Sequence, residues 1–454
     1  MLVMLVLCCN KMLCAGEAYL FRLYLTDKPA VHAQMIEPDQ FLSTQSIERR
    51  MKQGYELDST DAPVDTEYMQ SIANQGARIL AKSRWMNTVA IALADSVGIE
   101  SIKPLSFIDS VQWIGMRKQR QAAEQKEGKD TSHFKAVDVP LNNYWGNAKI
   151  NTTLHKADIF QKKGYTGQGI SVAVIDAGFK NLNRISAFDS AHVVETRNFV
   201  NPEVSVYEED DHGTKVLSCL AAKQNNVLVG SAPDARYYLL KSEVIESEYS
   251  IEEDYWIEAV EHADSAGVDI VSSSLGYWDF ENNPAGYTQQ YLTGKHTFIS
   301  RAASKAIDKG MLLVVSAGNE GGGTWRNVTF PSDADNVLTV GAIDKKKKKS
   351  IFSSAGAQGK VKPEVVSLGS ECAVYNAKGQ IELVDGTSFA TPILAGWISC
   401  LWQALPSLTN REIYRLVIES SSLYNKPDAD IGYGIPDMQK AYKSGLRLEH
   451  QKKN

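Results

Sequence analysis

From residue 170 onward, short apolar segments alternate with longer amphipathic ones, and this alternation restricts the fold more than any other feature of the 454-residue sequence. Residues 170–175 are rich in β-branched side chains, as expected for a strand of a parallel sheet that is buried on both faces. Further strands are predicted at residues 235–240, 268–272, 311–315 and 337–341, and helices at residues 214–222, 253–266, 297–309 and 389–405. This alternation predicts an α/β domain with a doubly wound, mostly parallel sheet and helices on both of its faces.

The sequence before residue 130 predicts a smaller unit of a different kind. Strands are expected at residues 19–25, 89–93 and 108–113, the second of them half-buried because apolar residues alternate there, and helices at residues 66–75 and 96–102. The order strand, helix, strand, helix, strand indicates a small α+β domain. Residues 116–130 are strongly charged, which predicts an exposed linker after it.

The N-terminal segment predicts export. Residues 1–9 are apolar, and small residues follow at Ala15 and Gly16, so residues 1–16 fit a short signal peptide. A lipidated cysteine fits less well, because Leu7 and Leu13 are bulky where a lipoprotein signal usually has a small residue.

Composition excludes several other classes of protein. A net charge of −6 gives no reason to expect a nucleic-acid partner, and the five lysines at residues 345–349 fit a solvated turn. No apolar run is long enough to span a membrane. Without the leader three cysteines remain, so at most one disulfide can form; Cys219 and Cys400 lie in apolar helical patterns typical of small buried hydrophobes.

Four polar residues lie where predicted strands end or predicted helices begin: Asp176, His212, Asn319 and Ser388. In open α/β sheets, functional groups gather at the carboxyl ends of strands. Taken singly, each also fits a structural role. Asp176 fits an Asx turn, Asn319 a strand-to-turn loop, His212 a chance neighbour of a helix-capping aspartate, and Ser388 a helix N-cap.

Four segments around these residues resemble the motifs of the subtilisin-like serine proteases, the subtilases. They are residues 172–178, Asp211-His212-Gly213-Thr214, Ser316-Ala317-Gly318-Asn319 and Gly386-Thr387-Ser388-Phe389-Ala390-Thr391-Pro392. The order Asp176, His212, Ser388 is that of the subtilisin triad. An esterase on an α/β-hydrolase fold does not fit, because it needs G-x-S-x-G and the order Ser, Asp, His.

The resemblance gives each residue type a chemical role. A serine hydroxyl is a weak nucleophile at neutral pH, so a base such as the His212 imidazole must take its proton. Asp176 would hold the imidazole in the right tautomer and stabilise its cation. The side chain of Asn319 and the backbone N–H of Ser388 would donate hydrogen bonds to the oxyanion.

A substrate-binding surface is also implied. Ser274-Leu275-Gly276 resembles the subtilase segment that pairs with an extended peptide backbone. Together with Ala317 and Gly318, it would line the pocket for the residue before the scissile bond. Glycine at positions 276 and 318 would permit a bulky side chain to enter.

Taken as a whole, the resemblance implies a subtilisin-like α/β domain at residues 135–450, preceded at residues 17–134 by a ferredoxin-like prodomain and linker. The prodomain would inhibit the enzyme until it is removed, and cleavage would fall within residues 116–140. We expect an exported serine endopeptidase (secreted, periplasmic or at the outer cell surface) that acts on protein or peptide substrates and requires no cofactor for its chemistry. Structural calcium stays undecided, and the alternative is a catalytically silent subtilase-fold binding protein.

Overall fold

The computed structural model describes residues 17–29, 37–118, 140–245, 247–281 and 286–453, which form two domains packed against each other. The predicted leader and most of the charged linker lie outside these residues, so the predicted domain boundaries stay predictions. Among the described helices, none combines the length and the hydropathy needed to cross a lipid bilayer.

A four-stranded antiparallel sheet forms the front domain, with the strand order β2-β3-β1-β4. Its elements in chain order are β1 (Glu17–Leu25), α1 (Thr44–Gln53), α2 (Thr66–Asn74), β2 (Arg78–Ser83), β3 (Thr88–Leu93), α3 (Ile99–Ile102) and β4 (Ile108–Lys118). Apart from α1, the succession is that of a ferredoxin-like domain, as the resemblance implied.

The front domain differs from its prediction in four respects. Strand β4 continues to Lys118, so the first residues of the predicted linker belong to the sheet. Strand β2 and helix α1 were not predicted; the buried residues of α1 are Ser46, Arg49 and Arg50, so the helix carries no apolar stripe. Strand β3 is buried along its whole length and not half-buried. Its Val89 packs within the front domain and its Ala90 packs against the large domain, so both faces of the sheet are covered.

The large domain contains a seven-stranded sheet in which all described pairings are parallel. The strand order is β13-β12-β11-β10-β5-β9-β6. The strands are β5 (Ser171–Asp176), β6 (His192–Asn198), β9 (Arg236–Lys241), β10 (Ile270–Ser273), β11 (Leu312–Ser316), β12 (Leu338–Ile343) and β13 (Val365–Leu368), and two hairpins stand apart: β7 (Lys223–Gln224) with β8 (Leu228–Val229), and β14 (Cys372–Tyr375) with β15 (Ile381–Val384). The predicted parallel sheet is confirmed.

Helices cover both faces of this sheet, as predicted. They are α4 (Lys149–Leu154), α5 (Asp158–Lys162), α6 (His212–Ala221), α7 (Ile251–Ala266), α8 (Phe298–Asp308), α9 (Thr387–Ala404), α10 (Asn410–Ser420) and α11 (Met438–Lys453). Val172 and Val174 of β5 pack in one core with α6 and α9, whereas Ala173 and Ile175 point the other way and pack with α7 and α8. Cys219, Cys372 and Cys400 are free and buried in the large domain.

Buried ion pairs hold the front domain against helix α7. Arg22 lies 2.6 Å from Asp254, and Arg49, Arg50 and Arg84 converge on Asp264 at 2.5–2.6 Å. The two carboxylates are 4% and 0% exposed. Because buried charges are costly unless they are paired, the two domains depend on each other for these partners.

Candidate active site

Asp176 and His212 are hydrogen-bonded to each other at the carboxyl end of the sheet. The Asp176 carboxylate, fully buried at the last position of β5, accepts from His212 Nδ1 at 2.7 Å through Oδ1. The same oxygen accepts from the backbone N–H of Ala177 at 2.8 Å. His212 is the first residue of α6, and Gly213 lets this helix start approach the turn after β5, since a Cβ there would lie 2.4 Å from Gly178 O.

This arrangement changes the proton affinity of the imidazole. Burial lowers the pKa of His212, but the charge of Asp176 and the hydrogen bond from Nδ1 outweigh it, so the pKa is raised above its ordinary value. Since Nδ1 faces the carboxylate, Nδ1 carries the proton in the neutral ring and Nε2 is free to accept one.

Ser388 is the second residue of α9, where backbone N–H groups have no acceptor within the helix. It is 7% exposed, and its Oγ donates only a long hydrogen bond, 3.4 Å, to Ser274 O. Pro392 lies one turn further along, inside the helix. Because proline has no N–H, the Ser388 carbonyl lacks its helical donor and accepts instead from Ser274 Oγ at 2.8 Å.

Asn319 follows β11 and is fixed to the start of α9 by its amide oxygen. Its Oδ1 accepts from both the backbone N–H and the hydroxyl of Thr387 at 3.0 Å. No described residue accepts a hydrogen bond from Nδ2, and the side chain lines the same cavity as Ser388. Two amide protons are therefore left to donate into this cavity.

A cavity of about 700 Å³ joins these groups. Of the residues predicted from the sequence, it is lined by His212, Ser274, Leu275, Gly276, Gly318, Asn319 and Ser388. Asp176 lies behind His212, and Ala317 is fully buried in the core, so its side chain does not reach the cavity wall. The space between Gly276 and Gly318 contains the side chain of Thr329.

The cavity is strongly acidic, which the sequence motifs do not indicate. Its carboxylates are Asp210, Glu243, Glu248, Asp279, Glu281 and Glu320, and no lysine or arginine is among the described lining residues. Burial and neighbouring carboxylates raise the pKa of Glu248 above its ordinary value. Two of these carboxylates, Glu243 and Glu248, lie in the acidic segment between β9 and α7. That segment is visible in the sequence, but the sequence does not show that it lines this cavity.

One carboxylate cluster beside the cavity has the spacing of a cation site. Oxygens of Glu243, Glu248 and Glu252 lie within 4.8 Å of one another. Glu252 already accepts from the backbone N–H groups of Val244 and Tyr249 at 2.7 and 2.9 Å, so protein donors account for its position.

Comparisons with known proteins identify the family of this chain. Residues 167–434 match the model of the subtilase family, and residues 20–133 match the model of the Bacteroidota peptidase S8 propeptide domain. The fold and the family model define a serine endopeptidase that carries a propeptide. The chain belongs to the subtilase family.

Several relatives are similar to this chain in sequence, and several solved structures share its fold. Subtilisin E of Bacillus subtilis is 28% identical over 373 residues, covering 82% of this chain and 84% of the relative. A subtilisin of Bacillus pumilus is 30% identical over 63% of this chain and 95% of its own length. The structure of MycP1 without its N-terminal propeptide aligns with a TM-score of 0.53 at 22% identity, covering 67% of this chain and 97% of that one. The prenylagaramide maturation protease PagA aligns with a TM-score of 0.51 at 22% identity over 63% of this chain and 98% of its own.

Proposed function

We propose that this subtilase is an exported endopeptidase made as a zymogen, in which Asp176, His212 and Ser388 form the catalytic triad. The observation that carries the proposal is the hydrogen bond of 2.7 Å between a buried carboxylate and an imidazole that shares a cavity with Ser388 and Asn319.

The mechanism follows from these contacts. The Ser388 hydroxyl leaves its long contact with Ser274 O, gives its proton to His212 Nε2 and attacks the substrate carbonyl. Asp176 stabilises the imidazolium, which then protonates the leaving amine. Water attacks the resulting acyl-enzyme by the same route in reverse.

The developing oxyanion is stabilised by Asn319 Nδ2 and the backbone N–H of Ser388. Thr387 holds the Asn319 amide by its oxygen, so its donors are oriented before substrate arrives. Ser274, Leu275 and Gly276 bind the substrate backbone, and every step uses protein groups, so no cofactor is needed.

The front domain acts as the inhibitor of its own enzyme. Its match to an S8 propeptide model and its buried ion pairs with α7 support this role. Residues 1–16 direct export and are removed first, and the prodomain is cut from the enzyme within the linker. N-terminal sequencing of the protein recovered outside the cells tests export and processing together.

Replacing the nucleophile tests the triad directly. Ser388→Ala should lower kcat by about 10⁶-fold, the scale known for subtilisin, and abolish labelling by a fluorophosphonate. Ser399→Ala is the matched control, because Ser399 lies buried on the same helix and bonds only Ala395 O. Hydrolysis that survives in Ser388→Ala would contradict the assignment of Ser388 as the nucleophile. A wild-type protein that is neither labelled nor processed would favour a silent binding protein instead.

A further inference from the structure

The pocket implied for the residue before the scissile bond is filled in part by a side chain of this protein. A Cβ added to Gly276 would lie 2.0 Å from Thr329 Oγ1, and one added to Gly318 would lie 2.8 Å from Thr329 Cγ2. Thr329 therefore lies directly between the two glycines that would otherwise admit a bulky group. The space between Gly276 and Gly318, which was expected to admit a bulky side chain, is therefore occupied.

The backbone holds Thr329 in place from both walls of the pocket. Its N–H donates to Ala317 O at 3.0 Å, and the next residue, Phe330, exchanges two hydrogen bonds of 2.9 Å with Tyr277. Those partners adjoin Gly318 and Gly276. Thr329 cannot withdraw without breaking bonds to both walls, so a substrate must fit around it.

The Thr329 hydroxyl has no hydrogen-bond partner among the described residues. The residue is 3% exposed, yet it lines the cavity together with Ser388. A buried hydroxyl without a partner is unfavourable, and a ligand that supplies one is favoured.

We propose that Thr329 determines specificity, so that the enzyme selects peptides with a small residue, alanine or serine, before the scissile bond. This inference rests on the proposed function, because it needs the substrate to lie along Ser274-Leu275-Gly276. The methyl group of Thr329 excludes leucine and phenylalanine, and its hydroxyl bonds the hydroxyl of a substrate serine. Misfit of a single methylene changes selectivity by about 10–200-fold, so an aromatic ring is rejected at least as strongly.

The test uses the mature enzyme with fluorogenic peptides that differ only in the residue before the cleaved bond: alanine, serine, leucine or phenylalanine. Wild-type kcat/KM for alanine and serine should exceed that for phenylalanine by at least about tenfold. Thr329→Gly should raise the phenylalanine-to-alanine ratio by at least about tenfold, because it reopens the space between the glycines.

Two further variants separate shape from hydrogen bonding. Thr329→Val keeps the volume, so it should still reject phenylalanine but lower the serine-to-alanine ratio about fivefold, the value of one hydrogen bond. Thr329→Ser keeps the hydroxyl and should admit leucine in part, which tests the proposal if the glycine variant does not fold. Thr324→Gly, in an exposed loop of the same segment, is the matched control and should leave all ratios unchanged.

The outcomes distinguish this inference from the proposed function. Wild-type enzyme that cleaves the phenylalanine peptide as well as the alanine peptide overturns the inference while labelling of Ser388 upholds the triad. An unchanged ratio in a folded Thr329→Gly enzyme overturns it too. Absence of both labelling and hydrolysis overturns the proposed function, and the inference with it.

Discussion

The contact between His212 and Asp176 determines the lower pH limit of activity. A general base must be neutral, so kcat/KM should rise with pH and reach half its maximum at the imidazole pKa, which Asp176 raises above its ordinary value. Asp176→Asn removes the charge that favours the imidazolium. We expect the midpoint to move to lower pH and kcat to fall by about 10⁴-fold.

A pH profile of kcat/KM on an uncharged peptide measures both effects. Asp158→Asn serves as the control, because Asp158 forms only a surface pair with Lys162 at 2.6 Å. A midpoint in Asp176→Asn that equals or exceeds that of the wild type would contradict the assignment of Asp176.

The amide of Asn319 should act in the transition state and hardly at all in substrate binding. Asn319→Ala removes one donor to the oxyanion, so kcat should fall by about 10²–10³-fold with little change in KM. Thr387→Val removes only the hydroxyl that holds Asn319 Oδ1 and keeps the backbone donor. The effect of Thr387→Val on kcat should stay below about tenfold. If steady-state kinetics show equal losses of kcat in the two variants, Asn319 only positions Thr387 and does not donate to the oxyanion.

At the scale of elements, the front domain is fastened to α7 by charge. Asp264→Asn leaves Arg49, Arg50 and Arg84 around a neutral side chain, and loss of one partner of a buried ion pair costs about 3–5 kcal/mol. In the inactive Ser388→Ala background, we expect a lower midpoint of thermal unfolding and faster digestion of the front domain by an added protease. In a protein that keeps Ser388, Asp264→Asn should release the front domain sooner, so proteolytic activity should appear earlier than in the wild type.

Asp308→Asn is the control for this prediction. Its pair with Arg411 is 2.6 Å long, but the two side chains are 62% and 51% exposed, so its removal should cost at most about 1 kcal/mol. If both variants release the front domain at the same rate, the ion pairs at α7 do not control latency.

Helices and strands were predictable from sequence where burial alone shapes them. Strand β5 is buried on both faces, and its nearly continuous apolar sequence predicts this burial. Helix α1 was missed because its buried arginines, Arg49 and Arg50, share a partner, Asp264, that lies more than 200 residues away in sequence. A local sequence pattern does not show a partner that is distant in sequence. For the same reason, the contact between the two domains could not be predicted.

The residues of the candidate site also fall into two groups: those that local sequence motifs predict and those that depend on distant contacts. Asp176, His212, Asn319 and Ser388 stand in short motifs with fixed local geometry, so the sequence suggests them at once. Thr329 enters the pocket only because Ala317 and Tyr277 hold its segment across the two glycines. Its role depends on distances between strands, which sequence spacing does not show.

At the scale of the whole molecule, the acidic cavity should select cationic peptides. Six carboxylates line it, and among the described lining residues only His212 can carry a positive charge. Peptides with arginine in place of glutamate, at positions other than the one before the cleaved bond, should therefore have the higher kcat/KM. Because the pKa of Glu248 is raised, this preference should strengthen as pH rises and Glu248 loses its proton.

Salt and substitution test this electrostatic selection. An ion pair at 4 Å is worth about 1 kcal/mol in water and more in a partly dry cavity, so Glu248→Gln should reduce the arginine-to-glutamate ratio by about fivefold or more. The Debye length falls from about 10 Å at 0.1 M salt to about 3 Å at 1 M, so salt should reduce the wild-type ratio in the same direction. Glu203→Gln, on an exposed turn outside the cavity, should leave the ratio unchanged. A ratio that is independent of salt and of Glu248 would mean that the carboxylates do not meet the substrate, and that backbone pairing and pocket shape alone select it.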